Sequence, residues 1–237
     1  MILCLDAGNT RLKYGLFDGN GWRVQGALNH EAIDELRAGL PAEPTRIVTC
    51  NVAGDAMRRR IEALSASLGL PLDWLASSAA ACGVRNGYDT PQQLGADRWA
   101  ALLGARALHA AACVVVMAGT ATTIDVLDDT GLFRGGLILP GLSLMRTALA
   151  RNTADLPHAA GDYRAQPTNT DDAIVSGALH ATLGAIARMR AEGTLCLLSG
   201  GAANELAPHL DLPCRLIDNL VLEGLARYSG VRPNSVN

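Results

Sequence analysis

The sequence lacks a strong excess of either charge and lacks a long uninterrupted hydrophobic run. Its 237 residues carry a formal net charge of −3, and the only basic run is 58–60, so the charge does not favour nucleic acid or an anionic membrane as a partner. The most apolar segment, 99–119, contains Arg106 and His109, which predicts a helix followed by a strand rather than a membrane span. Because no charged segment precedes the first strand-like residues, we expect no signal peptide.

The six cysteines form no Cys-x-x-Cys pair and no cluster with histidine. Four lie in or beside apolar runs and are predicted to be buried thiols, namely Cys4, Cys50, Cys113 and Cys196. Reduced thiols indicate a reducing compartment, so we expect a cytoplasmic location. Hydrophobic residues make up 49% of the chain, which is enough for one large domain or two small ones.

What the sequence does contain is a strand–turn–strand unit in its first 17 residues. The run 2–5 is nearly all apolar and predicts a buried strand that ends on Asp6. Gly8 and Asn9 favour a tight turn, and 11–17 is rich in strand-forming residues. The unit therefore predicts a hairpin with an acid at its bend.

The small residues of the 8–10 turn allow backbone amides to approach a phosphate closely. Asp6 suits a hydrated Mg²⁺ ion, and Arg11 and Lys13 are spaced to leave the same face of a strand. These features favour a cradle for phosphate and metal. An ordinary hairpin with turn-forming residues remains the alternative.

The same plan recurs in the second half of the chain. A predicted strand at 113–118, a Gly119-Thr120 turn and a strand at 122–127 are followed by a hairpin to 132–139. Two copies of one unit predict a two-lobed α/β protein, with lobes at 1–112 and 113–237. In between, 82–98 is loop-like, and a long helix is expected over 93–112.

Two further glycine motifs follow predicted strands, at Gly119-Thr120 and at Gly200-Gly201. Each one alone is equally consistent with a simple tight turn. A glycine pair between a strand and a helix can also pass close to a nucleotide, and a helix N-terminus favours anions. Three such motifs in this order match the actin/Hsp70/sugar-kinase layout, in which two similar lobes, each a mixed sheet flanked by helices, enclose ATP.

The segment Gly95-Ala96-Asp97-Arg98 carries a candidate base beside a candidate cation. A carboxylate at Asp97 could accept the proton of a hydroxyl that attacks a phosphate, and Arg98 could bind a carboxylate or a phosphate. The alternative is an acid that stabilises a helix N-terminus, next to a surface arginine.

Taken together, these motifs resemble the type III pantothenate kinases. The shared elements are DAGNT from residue 6, GADR from residue 95, GTATT from residue 119, and Gly135-Gly136, Ile138 and Pro140-Gly141. The resemblance spans nearly the whole chain. It implies ATP-dependent phosphorylation of pantothenate in coenzyme A biosynthesis, by a homodimer that uses a divalent metal such as Mg²⁺ and a monovalent cation, K⁺ or NH₄⁺.

The resemblance also implies roles for individual residues, with Asp97 as the catalytic base and Asp6 near the Mg²⁺ ion. The implied ATP-binding residues are Asp6, Ala7, Gly8, Asn9, Thr10, Arg11, Leu12, Lys13 and Thr120. The implied pantothenate-binding residues are Tyr88, Gly95, Ala96, Asp97, Arg98 and Thr170. For Thr170 a helix N-cap is the alternative role.

At one position the sequence departs from the family. Many members have, two residues before the glycine of GTATT, an aspartate that ligates the monovalent cation, and this chain has Met117 there. Since K⁺ and NH₄⁺ prefer oxygen ligands to a thioether, cation dependence is an open question. A nucleotide-binding regulatory or accessory protein and an ATPase switch of the same fold are the alternative functions, although Asp6, Asp97 and Arg98 favour the kinase.

Overall fold

The computed structural model describes residues 1–211 and 213–230. Leu212 and residues 231–237 of the predicted second lobe lie outside the described residues. In chain order the strands are β1 (Ile2–Ala7), β2 (Leu12–Phe17), β3 (Trp22–Leu28), β4 (Arg46–Asn51), β5 (Leu72–Trp74), β6 (Ala80–Ala81), β7 (Val84–Asn86), β8 (Cys113–Ala118), β9 (Ala121–Leu127), β10 (Leu132–Pro140), β11 (Leu195–Ser199) and β12 (Cys214–Leu216). The α-helices are α1 (Asp55–Leu68), α2 (Ala96–Leu108), α3 (Leu142–Asn152), α4 (Thr170–Met189), α5 (Ala203–Leu206) and α6 (Leu220–Gly230).

The described residues divide into two units. Unit 1 comprises 1–111, 131–133 and the chain from Asn219, and unit 2 comprises Ala112–Thr130 and Arg134–Asp218. The chain thus changes unit next to residue 112, where the sequence predicted a boundary. The prediction assigned α6 to the second lobe, whereas α6 groups with unit 1 because it packs along α2.

Unit 1 contains a mixed sheet of strand order β3-β2-β1-β4-β5. The strands β1, β2 and β3 are antiparallel neighbours, and β1, β4 and β5 are parallel neighbours. Alternate residues of β1 face opposite sides of the sheet. Leu3, Leu5 and Ala7 join the apolar cluster that includes buried residues of α1, so Asp6 faces the opposite side, where α6 packs on β1 and α2 packs on β4.

Unit 2 repeats the strand order of unit 1, and it contains the second strand–turn–strand unit that the sequence predicted. Its strands follow the order β12-β11-β8-β9-β10, with β8 antiparallel to β9 and parallel to β11. A buried apolar cluster joins β8 and β11 to one side of α4. The two sheets therefore place the turn after β1 and the turn after β8 at equivalent points of their topology.

The predicted loop at 82–98 and the predicted helix at 93–112 needed correction. Within the loop, β7 pairs in parallel with the first two residues of β10. Pro91–Gln93 form a separate 3₁₀ turn, and α2 begins only at Ala96, after Gly95 in an extended conformation. No described helix combines the length and the hydropathy that a bilayer span requires. The segment 99–119 contains most of α2 and all of β8, as the helix-and-strand interpretation predicted.

Candidate active site

Asp6 is a buried carboxylate at the end of β1, and only 6% of the residue is exposed. It lies opposite Lys13 on β2 and opposite Cys50 on β4. Burial raises the pKa of Asp6 to about 6. Lys13 acts against this rise, the negative charge of Asp97 adds to it, and a hydrogen bond from Cys50 lowers the pKa again. The fold thus brings together Asp6, Lys13 and Asp97, three of the residues predicted for the site.

Cys50 donates its thiol hydrogen to Oδ1 of Asp6, with a sulfur–oxygen distance of 3.7 Å. Burial raises the pKa of the Cys50 thiol well above its usual value, and the neighbouring carboxylates of Asp6 and Asp97 raise it further. The thiol therefore remains protonated and holds the Asp6 carboxylate as a hydrogen-bond donor.

The turn between β1 and β2 presents a small, accessible surface. Gly8 is half-buried, whereas Asn9, Thr10 and Arg11 are exposed. Nε2 of His30 lies 2.9 Å from the carbonyl oxygen of Gly8. Arg11 precedes the first residue of β2, whereas Lys13 lies within the strand. Of the two cations predicted to face phosphate, Lys13 is therefore the one whose position the sheet fixes.

Asp97 lies in the first turn of α2, as the sequence predicted. Its Oδ1 accepts a hydrogen bond of 2.8 Å from the backbone amide of Arg98. A Cβ atom added at Gly95 would lie only 2.7 Å from the same oxygen. Glycine at this position therefore leaves the space that the carboxylate occupies.

Arg98 is buried, with 4% of the residue exposed, which excludes the surface arginine considered as an alternative. Its Nη1 donates a hydrogen bond of 2.8 Å to Oη of Tyr88. The guanidinium also lies 5.7 Å from the Tyr88 ring centroid and 5.8 Å from that of Phe133. The rings of Tyr88 and Phe133 contact each other at 5.3 Å, so this pair of aromatic rings holds a buried cation.

In unit 2, the turn after β8 is built from glycines in close contact. The amide of Gly141 donates to the carbonyl oxygen of Thr120, and a Cβ atom at Gly141 would overlap that backbone. Gly200 has φ of +107°, and a Cβ atom there would lie 2.4 Å from the carbonyl oxygen of Ala118. The Gly119-Thr120 and Gly200-Gly201 turns, predicted separately, therefore meet at the end of β8. The helix that follows Gly200-Gly201 has four residues, too few for the predicted anion site at its N-terminus.

The two implied metal sites fit the structure differently. No group of three or more His, Cys, Asp or Glu able to hold a metal occurs in the described residues. Proteins often bind Mg²⁺ through one or two carboxylates together with substrate phosphates, and the buried carboxylate of Asp6 has the chemistry of such a ligand. At the position of the monovalent cation, Met117 pairs across the sheet with Thr123. The hydroxyl of Thr123 is buried without a hydrogen-bond partner in the described residues, but the side chain at position 117 is a thioether rather than the expected carboxylate, so position 117 does not fit the implied site.

Thr170 is the first residue of α4, and it is exposed. The N-cap role considered for it is wrong, because the N-cap is Asn169, whose side chain accepts the amide of Asp172 at 2.9 Å. Thr170 instead lines a groove of about 1260 Å³ along α3 and α4. The sequence alone did not indicate this groove.

Three residues of the site were not found from the sequence, and they are Cys50, His30 and Phe133. Cys50 carried a usable signal, since the sequence predicted it to be a buried thiol beside an apolar run; the structure places it on β4, parallel to β1. His30 and Phe133 carried none, because each reaches the site from a segment distant in sequence.

The fold and the two glycine-lined turns define the actin/Hsp70/sugar-kinase class. A structure assigned as a 2-dehydro-3-deoxygalactonokinase from Sinorhizobium meliloti matches with a TM-score of 0.64 at 17% identity, covering 97% of this chain and 98% of that one. A structure assigned to the Baf family of transcriptional activators, from Campylobacter jejuni, matches with a TM-score of 0.69 at 22% identity, covering 96% and 97%. At such identities the likeness concerns the fold alone.

The family follows from the sequence matches. The family described as type III pantothenate kinase matches residues 2–192. A type III pantothenate kinase from Aromatoleum aromaticum is 54% identical over 233 residues, covering 95% of this chain and 96% of that protein. The chain belongs to the type III pantothenate kinase family.

Proposed function

We propose that this protein transfers the γ-phosphoryl group of ATP to the primary hydroxyl of pantothenate, giving ADP and 4′-phosphopantothenate, the first step of coenzyme A biosynthesis. The observation that carries the proposal is the placement of two carboxylates in unit 1, with Asp6 at the end of β1 opposite Lys13 and Asp97 in the first turn of α2. Asp97 is followed directly by the buried cation Arg98. A phosphotransferase needs such a phosphate-side acid and a substrate-side base in one place.

The phosphates of ATP bind at the Gly8–Thr10 turn in this proposal. Asn9 and Thr10 are exposed residues of this turn, and Lys13 supplies positive charge from β2 opposite Asp6. Asp6 would hold Mg²⁺, and a bound Mg²⁺ ion would neutralise part of the negative charge of the phosphates. Thr120 is proposed as a further ATP contact, on the strength of its glycine-lined turn.

Asp97 acts as the general base. Its carboxylate accepts the hydroxyl proton of pantothenate as that oxygen forms a bond to the γ-phosphorus and the bond to ADP breaks. Gly95 and the Arg98 amide fix the position of the carboxylate. Because the transition state is loose, correct positioning contributes more than base strength.

Arg98 and Tyr88 recognise pantothenate. A guanidinium that is buried against two aromatic rings is already largely desolvated, so its attraction to a carboxylate is screened less than at a surface. The carboxylate of pantothenate is the matching group, and Gly95 and Ala96 would line the same pocket.

A homodimer is part of the proposal, with its contact surface in unit 2. Exposed apolar side chains of β10 and α3, Ile138, Leu144 and Leu149, are 66%, 46% and 40% exposed. Leu144 and Leu149 line the groove that also contains Thr170. Burying this surface against a second copy would remove apolar area from water, and it would place Thr170 at the interface. Cytoplasmic location is proposed from the six free cysteines.

The deciding experiment measures ADP release from Mg-ATP with and without pantothenate, in K⁺, NH₄⁺ and Na⁺ buffers. Release that depends on pantothenate supports the proposal. Release without pantothenate would indicate an ATPase switch, and no release in any buffer would favour a regulatory protein.

Asp97→Asn tests the role of the base. We expect turnover to fall by at least about 100-fold, while ATP affinity, measured by calorimetry, stays within about twofold. An equal loss of ATP affinity would show that Asp97 holds the nucleotide rather than the hydroxyl proton.

A further inference from the structure

His30 makes a contact that none of the roles above uses. Its Nε2 lies 2.9 Å from the carbonyl oxygen of Gly8, the first residue of the turn between β1 and β2. A carbonyl oxygen can only accept a hydrogen bond, so Nε2 must carry a proton and donate it. This fixes the tautomer of a neutral His30 ring, and the contact also persists when the ring is charged.

The direction of this hydrogen bond sets the direction of the next amide. The described residues contain no cis peptide bond, and in a trans peptide the N–H points away from the C=O. Because the carbonyl of Gly8 points to His30, the N–H of Asn9 points to the other side of the turn. A rotation of this peptide would turn the carbonyl, with its partial negative charge, towards that side.

The segment that carries His30 is itself held firmly. His30 is the first residue of the 3₁₀ helix His30–Gly39. In this helix, Ile33 and Leu36 are buried in the apolar cluster of β1 and α1. Arg60 of α1 adds hydrogen bonds to the carbonyl oxygen of Glu31 and to the carboxylate of Asp34. The imidazole is therefore presented to Gly8 from a packed support.

We infer that His30 is a positioning residue for the phosphates of ATP: it locks the Gly8–Asn9 peptide so that the Asn9 amide donates to a phosphate oxygen. The inference rests on the proposed binding of ATP at the Gly8–Thr10 turn. A phosphate is a strong acceptor, and a donor that is already oriented does not need to reorganise when the nucleotide binds.

The test compares His30→Ala and His30→Gln, with His158→Ala as the matched control because His158 is exposed in unit 2. Each variant is assayed for kcat, for KM of ATP and of pantothenate, and for its thermal midpoint. We expect His30→Ala to raise KM for ATP about three- to tenfold, the effect of one lost hydrogen bond, with KM for pantothenate within about twofold. Glutamine retains an N–H donor at similar reach, so His30→Gln should recover most of the loss, and His158→Ala should match wild type.

Two outcomes would overturn the inference: an unchanged KM for ATP in His30→Ala, or no recovery in His30→Gln when both variants keep the wild-type thermal midpoint. A Gly8→Val variant separates this failure from a failure of the proposed site. If Gly8→Val raises KM for ATP and His30→Ala does not, ATP binds at the turn without help from His30. If neither variant changes KM for ATP, the nucleotide site itself lies elsewhere.

Discussion

Gly95→Ala perturbs the proposed base without altering the fold around it. Gly95 has φ of −54° and ψ of 137°, which alanine adopts without strain. The new Cβ would lie 2.7 Å from Oδ1 of Asp97, whereas ordinary contacts begin at 3.4 Å. The carboxylate must therefore move by about 0.7 Å, and it moves at the flexible end of a side chain.

A displacement of this size has a large effect on a reaction that depends on positioning. Misplacing a reacting group by about 1 Å costs on the order of 100-fold in rate, so we expect kcat to fall about 10- to 100-fold in Gly95→Ala. The affinity for ATP should change by less than about twofold, since the turn between β1 and β2 is untouched. Steady-state kinetics at saturating ATP and pantothenate, with ATP titrated separately by calorimetry, measures both quantities.

The control is Gly21→Ala, because a Cβ at Gly21 meets no atom within 4 Å, and this variant should retain the wild-type kcat. A Gly95→Ala protein with wild-type kcat would refute the argument that this glycine makes room for a catalytic carboxylate. A Gly95→Ala protein that loses stability and ATP binding together would show that the clash is relieved by the backbone instead.

Three further variants test separate parts of the structure. Asp6→Asn should abolish most activity, yet it should raise the free energy of unfolding at pH 7.5 by on the order of 2 kcal/mol. The reason is that the folded-state pKa of Asp6 is raised to about 6, so the wild-type protein loses stability as pH rises through about 4 to 6. Denaturant unfolding at pH 4 and 7.5 measures this difference. Gly224→Ala should destabilise the protein by about 3 kcal/mol or more, since its Cβ would lie 1.8 Å from the carbonyl oxygen of Ala100 where α6 crosses α2; thermal unfolding measures it. Met117→Asp should make the rate higher in K⁺ than in Na⁺, because it places a carboxylate beside the Thr123 hydroxyl. The wild-type rate should be equal in both salts.

Each of these expectations can fail in a specific way. Equal stability of Asp6→Asn and wild type at pH 7.5 would mean that a bound ion or the Lys13 charge compensates the buried carboxylate. A wild-type thermal midpoint in Gly224→Ala would mean that the two helices can separate at little cost. A wild-type enzyme that requires K⁺ would mean that oxygens other than a carboxylate at position 117 bind the cation.

The sequence determined the local elements where one pattern dominated. Both ends of β8 were predicted correctly, because an unbroken apolar run defines a buried strand. The repeated strand–turn–strand plan also followed from the sequence, since the hydrophobic pattern and the turn glycines are local signals. These local signals alone therefore place the motif residues on strand ends and on the first turn of a helix.

Only the tertiary structure decided which of these elements meet. Cys50 reaches Asp6 across 44 residues and His30 reaches Gly8 across 22, and no periodicity in a single sequence encodes such pairings. The packing of α6 against α2, which groups α6 with the first half of the chain, and the burial of Arg98 against the touching rings of Tyr88 and Phe133 were equally invisible. Local patterns report the backbone conformation of a segment, whereas burial, charge pairing and shifted pKa values arise from neighbours that are distant along the chain.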